Sequence, residues 1–171
     1  MTTGTRAATD QDAALLALLD AQRGRAFEIV SGLDDRQLVE PVLPSGWTPL
    51  GMIEHLGFAE RHWFQGVALD LAPPPPSPGS PDPGGPFTTT RSPDAVFAFY
   101  REQIRRANVL LATTPLETPP RGRHEGAGPG QVPDLRAVVL HMIEETARHL
   151  GHLDAARELI DGRTGLGPDD L

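Results

Sequence analysis

H-M-I-E-E-T-A-R-H-L-G-H, from His141 to His152, decides how this chain is read. Its apolar residues return at helical intervals, and residues three or four apart share one helix face. His141, Glu145, His149 and His152 therefore lie in one stripe. Leu135, Val139, Met142, Thr146, His149, Leu153, Ala156 and Ile160 trace the inner face of a helix expected from Asp134 to Asp161, with Gly162 as its stop. A carboxylate and an imidazole one turn apart on such a face can grip a cation together. A buried carboxylate is costly unless it is paired or bound to a metal.

Three more long helices are expected upstream. In W-T-P-L-G-M-I-E-H-L (Trp47 to Leu56), Thr48 is a cap and Pro49 occupies the first helical position, where its missing N–H costs nothing. Met52, His55, Leu56, Ala59 and Trp63 form the inward stripe, Glu54 and Arg61 fall off it, and the helix fades by Leu71. An earlier helix opens at Thr9 in T-D-Q-D, which resembles a capping box with Asp12 at the third position. Leu15, Leu19, Ala26 and Val30 repeat along it, and it stops near Ser31-Gly32. A short helical piece follows around Leu33 to Leu38. A further helix begins at Ser92-Pro93-Asp94 and buries Val96, Tyr100, Ile104, Ala107 and Leu111.

The connections have a different composition. Residues 72–91 form a proline-rich crossover. Its run A-P-P-P-P-S-P-G-S-P-D-P-G-G-P-F (Ala72 to Phe87) forbids helix and central strand alike. It reads as an extended, partly polyproline-like surface connection, either inert or acting as a lid. A second loop runs from Thr113 to Pro133, and residues 163–171 read as a flexible C-terminal tail. No run of alternating β-branched residues interrupts the helices. The expectation is an all-α single domain over residues 1–171, a four-helix bundle with two long connections.

Composition narrows the function. The 171 residues carry a formal net charge of -8, which argues against nucleic acid, because phosphate binding needs a basic surface. There is no cysteine, which excludes disulfides, thiolate ligands and a cysteine nucleophile. Any thiol used here comes from a substrate or cosubstrate. The apolar run from Ala13 to Leu19 is too short to span a bilayer and follows acidic residues, so neither membrane anchor nor signal peptide is expected, and the default location is cytoplasmic.

His55, on an apolar helix face, adds a third donor to Glu145 and His149. Two histidines and one carboxylate with open positions are the usual design of a catalytic metal site. Each residue has a plainer reading alone: Glu145 as an ion pair with Arg148 or Arg61, His149 as a satisfied core histidine. His62, His141 and His152 are rivals on the same faces, or groups that orient a ligand or a bound water. His124, in a glycine-rich loop, is expected to be solvated.

G-W-T-P-L-G-M-I-E-H-L-G-F-A-E-R-H-W-F (Gly46 to Phe64) and H-M-I-E-E-T-A-R-H-L-G-H-L-D-A-A-R-E-L-I-D-G (His141 to Gly162) strongly resemble the DinB-like superfamily, in a branch long labelled a domain of unknown function. The metal-binding domain of mycothiol-dependent maleylpyruvate isomerase is related. The resemblance covers about Leu15 to Gly162. It implies a DinB/YfiT-like four-helix bundle of up-up-down-down topology, often a homodimer, holding a divalent metal, zinc first and nickel second. The family's first ligand falls on His55, its second on Glu145, as in isomerase-like members, and its last on His149. His152 stands where many members have glutamine, and no catalytic group is assigned.

The resemblance implies a metal-dependent enzyme that transfers a low-molecular-weight thiol, of the mycothiol or bacillithiol type, to a small electrophile. The alternatives are a metal-dependent hydrolase, a non-haem iron oxygenase, and a non-catalytic stress-linked metal-binding dimer.

Overall fold

The structure, a computed structural model, describes residues 10–72, 85–124 and 132–165. Within them every regular element is helical: α1 (Asp10–Val30), α2 (Asp35–Val39), α3 (Pro49–Glu60), α4 (Pro93–Thr113) and α5 (Leu135–Asp161). No helix among the described residues is long and apolar enough to cross a membrane.

The helix starts follow from local hydrogen bonding. Thr48 Oγ1 accepts from Gly51 N–H, Ser92 Oγ from Ala95 N–H, and Asp134 Oδ1 from Ala137 N–H. Each satisfies a donor the helix itself leaves open, an effect worth about 1 kcal/mol per cap. Asp34 and Gln37 cap α2 reciprocally. Gly162 ends α5 at φ 77°, a left-handed conformation in which glycine has no Cβ penalty. The capping box expected at Thr9 and the proline run over 73–84 lie outside the described residues. The tail is tethered at its start: Gly165 N–H donates to Asp154 and Arg163 to the Ser31 carbonyl.

α1 packs along α5, and α3 along α4 and also against α5. Two apolar clusters result. One gathers Leu19, Trp63, Phe64, Val67, Leu111, Leu135 and Met142. The other gathers Val30, Leu50, Met52, Leu56, Val96, Tyr100, Leu150 and Leu153. His55 stands among the α3 residues of the second cluster, and on α5 Glu145 and His149 lie between the residues of the first cluster and those of the second.

Three expectations are corrected. Glu54 is fully buried, not off the inward stripe, because Arg91 from the chain before α4 reaches it at 2.8 Å. The helix after Pro49 does not run on regularly to Leu71. It widens into a π-helical turn over Arg61–Val67, with Ala68 N–H bonded to the Trp63 carbonyl at 3.0 Å. Ile104 is only partly buried, and Gln103 takes its place inside.

A buried ion pair joins α1 to α3. Arg23 donates through Nε and Nη2 to the two oxygens of Glu60 at 2.6 and 2.7 Å, and through Nη1 to Asp20 and Asn108. Burial works against the charge on Arg23, but the bonds to Glu60 and Asp20 outweigh it and keep the guanidinium ionised.

Candidate metal centre

His55 projects from α3, and Glu145 and His149 from α5. His55 Nε2 lies 3.1 Å from Glu145 Oε1 and 3.1 Å from His149 Nε2, and His149 Nε2 lies 3.0 Å from the same carboxylate oxygen. Among the described residues this is the one group of three such side chains able to hold a metal ion. The ion pairs considered for Glu145 with Arg148 or Arg61 do not form; its carboxylate faces the two imidazoles. His149 is 7% exposed, while His55 and Glu145 are half-buried and open one side of the group to solvent.

The donor set fits a divalent ion. Three donors about 2.0–2.1 Å from one ion stand roughly 3 Å apart, as these do. Each neutral imidazole can give only one N–H, so three atoms in mutual contact cannot all be satisfied by protons. A shared cation satisfies all three. Hydrogen bonds from His149 and then His55 outweigh burial and hold the Glu145 carboxyl well below the usual range, so it stays ionised as a ligand must. His149 Nδ1 is buried without a hydrogen-bond partner.

Two aromatic rings wall the group. Phe87 stacks on the His55 ring at 3.9 Å between centroids and 16° between planes, and Trp47 lies 5.2 Å from Phe87. Phe87 is held by its backbone: its carbonyl accepts from Thr48 N–H at 3.0 Å. Gly51 makes this approach possible, because a Cβ there would stand 2.0 Å from the Phe87 oxygen. The exit of the proline-rich crossover is thereby pinned onto α3 beside His55.

The other candidate histidines fall elsewhere. His152 sits edge-on to Trp47 at 4.6 Å, with its ring 5.8 Å from that of His149 and its Nδ1 buried without a partner. It therefore borders the group but does not hydrogen-bond to His55, Glu145 or His149. Burial, and then the charges of His149 and Arg148, push its pKa down. His141 packs on Trp63 at 4.0 Å, and burial pushes its pKa down as well. His62 is exposed and bonds to His124. His124 is not simply solvated, since its ring stacks on Trp63.

Residues 14–162 match the sequence pattern of the mycothiol-S-transferase family, a span that contains all three converging side chains. The chain belongs to this family. It is thus a member of the DinB-like superfamily, as its two motif blocks imply. No curated protein matches it. Family membership associates the chain with mycothiol-related transfer and a small thiol cosubstrate.

Sequence reasoning missed Phe87 and Gly51. Their signal was a single aromatic residue closing the proline run and a glycine in the first turn of a helix.

Proposed function

We propose that this chain is a divalent-metal-dependent transferase that joins a low-molecular-weight thiol to a small electrophile. The observation carrying this reading is the triangle of His55 Nε2, Glu145 Oε1 and His149 Nε2, with sides of 3.0–3.1 Å, in a mycothiol-S-transferase family member. His55, Glu145 and His149 would hold the ion, zinc before nickel. A divalent ion with an open position lowers the pKa of a bound thiol and supplies a nucleophile at neutral pH. The chain has no cysteine, so the thiol comes from outside.

The protein's own groups divide the remaining work. Glu145 brings one negative charge, so the set keeps a net positive charge that favours an anionic sulfur. Phe87 fixes the plane of His55 by stacking. Trp47 and Phe87 offer apolar surface beside the open side, suited to the carbon skeleton of an electrophile. His152, edge-on to Trp47, borders the same side of the group.

We further read the long helices as the four-helix bundle of the superfamily, forming one domain over residues 1–171 and pairing as a homodimer. The reading puts the reaction in the cytoplasm, where small thiols are kept reduced. The net charge of -8 supports a small-molecule substrate over nucleic acid.

The test is elemental analysis of tag-free protein together with a thiol-transfer assay. About one divalent ion per chain is expected in the wild type and almost none in His149→Ala. Consumption of thiol with an electrophile should require the ion. Full metal occupancy in His149→Ala would refute the site. A loaded protein that hydrolyses the electrophile without consuming thiol would refute the transfer.

A further inference from the structure

A second pair of imidazoles meets two turns along from His55. His62 Nε2 lies 2.9 Å from His124 Nδ1, although 62 residues separate them in sequence. The His124 ring stacks on Trp63, with centroids 4.7 Å apart and planes at 28°. His141 covers the same indole at 4.0 Å.

Backbone geometry builds this meeting. The π-helical turn over Arg61–Val67 ends with the carbonyls of Val67 and Ala68 turned toward the loop after α4. Gly122 N–H donates to the first at 2.9 Å and Arg121 N–H to the second at 3.1 Å. A Cβ on Gly122 would stand 2.5 Å from the Gly66 carbonyl oxygen, so glycine alone permits so close a seat. His124, two residues on, is thereby delivered to His62. π-helical turns interrupt regular helix bonding and occur frequently at functional positions. Here the turn is what docks the loop.

We propose that His62 and His124 form a second binding site for a late first-row divalent cation, separate from the centre at His55, Glu145 and His149. Imidazole nitrogens suit Ni²⁺, Cu²⁺ and Zn²⁺. Two donors about 2.0–2.1 Å from one ion stand about 2.9 Å apart when the angle between them is a right angle, the tetragonal arrangement of Ni²⁺ and Cu²⁺. With two protein ligands and solvent completing the shell, this site is weaker than the three-ligand centre. Its occupation fastens the Gly122–His124 segment to the π-helical turn that follows α3. The inference does not depend on the transfer reaction proposed above.

The test is a calorimetric Ni²⁺ titration of the full chain after chelator treatment. Two ions per chain are expected, the second binding more weakly. Both His124→Ala and the exposed-site variant His62→Gln should lose the second phase and keep the first, whereas His149→Ala should lose the first and keep the second. Gly122→Val, which unseats the loop, should weaken the second phase at least tenfold. In a Trp47→Phe background the remaining emission comes from Trp63. Ni²⁺ should quench it by more than half during the second phase, and His124→Ala should abolish that quenching. A single ion per chain in the wild type, or a second phase that survives both His124→Ala and His62→Gln, overturns the proposal and leaves the pair as an N–H···N hydrogen bond.

Discussion

Gly51→Ala should destabilise the protein, which reverses the usual sign of that substitution. In a helix, alanine normally gains about 0.5–1 kcal/mol over glycine. At position 51 the new Cβ would lie 2.0 Å from the Phe87 oxygen and 2.4 Å from its carbonyl carbon, and backbone cannot rotate away as a side chain can. Residues 87–88 must move off α3. Overpacking of this kind costs about 1–3 kcal/mol, and losing the bond from Thr48 N–H to the Phe87 carbonyl costs about 0.5–1.5 kcal/mol. Less the propensity gain, the net loss is about 0.5–4 kcal/mol, which lowers Tm by about 1–16 °C for a domain of this size. Gly24→Ala and Gly151→Ala are matched controls, since a Cβ at either meets nothing within 4 Å. Both should stabilise by about 0.5–1 kcal/mol. Because Phe87 also stacks on His55, Gly51→Ala should weaken divalent-metal affinity while the controls leave it unchanged. Thermal and urea denaturation followed by circular dichroism, with metal titration of each variant, decides the matter. A Gly51→Ala protein as stable as the two controls would refute the close approach and with it the seating of Phe87.

Other outcomes follow from the charged groups. Arg23→Met leaves the Glu60 carboxylate buried and unpaired, at a cost of about 3–5 kcal/mol. Arg23→Met/Glu60→Leu should recover most of that in urea denaturation, and a double variant no better than the single would contradict the pairing. The depressed pKa of Glu145 makes a signed prediction for chelator-treated protein. A carboxyl lowered in the fold contributes stability that is present above its ordinary value of 4.5 and is lost as pH falls toward its folded value. The wild-type advantage over Glu145→Gln should therefore shrink below pH 4.5; an advantage that grows on acidification would argue against the His149 and His55 bonds. Glu102, chelated by Arg105 and Arg106 on the surface of α4, is lowered to about 2, and a carboxyl carbon-13 titration should find its midpoint there and not near 4.5.

The helices and the three converging side chains were legible in the sequence because both rest on periodicity. Leu135, Met142 and His149 recur at helical spacing, so the face carrying Glu145 could be read directly, and His55 announced itself by standing among Met52, Leu56 and Ala59. Contacts made through the backbone left no such trace. The π-helical turn over Arg61–Val67 is a matter of backbone bonding, and no proline in R-H-W-F-Q-G-V announces it. Glu54 looked like a surface residue because its partner, Arg91, lies 37 residues away. The roles of Phe87 and Gly122 depend on which carbonyls lie opposite glycines, which residue type alone does not specify.

Phe87 belongs to no helix. His55, Glu145 and His149 are fixed by α3 and α5, but the ring that shelters His55 arrives on the connection leading into α4. Insertions, deletions or replacements in that connection can reshape the entrance while the inner residues stay as they are. Variation there can alter what reaches the three side chains without touching the helices that carry them.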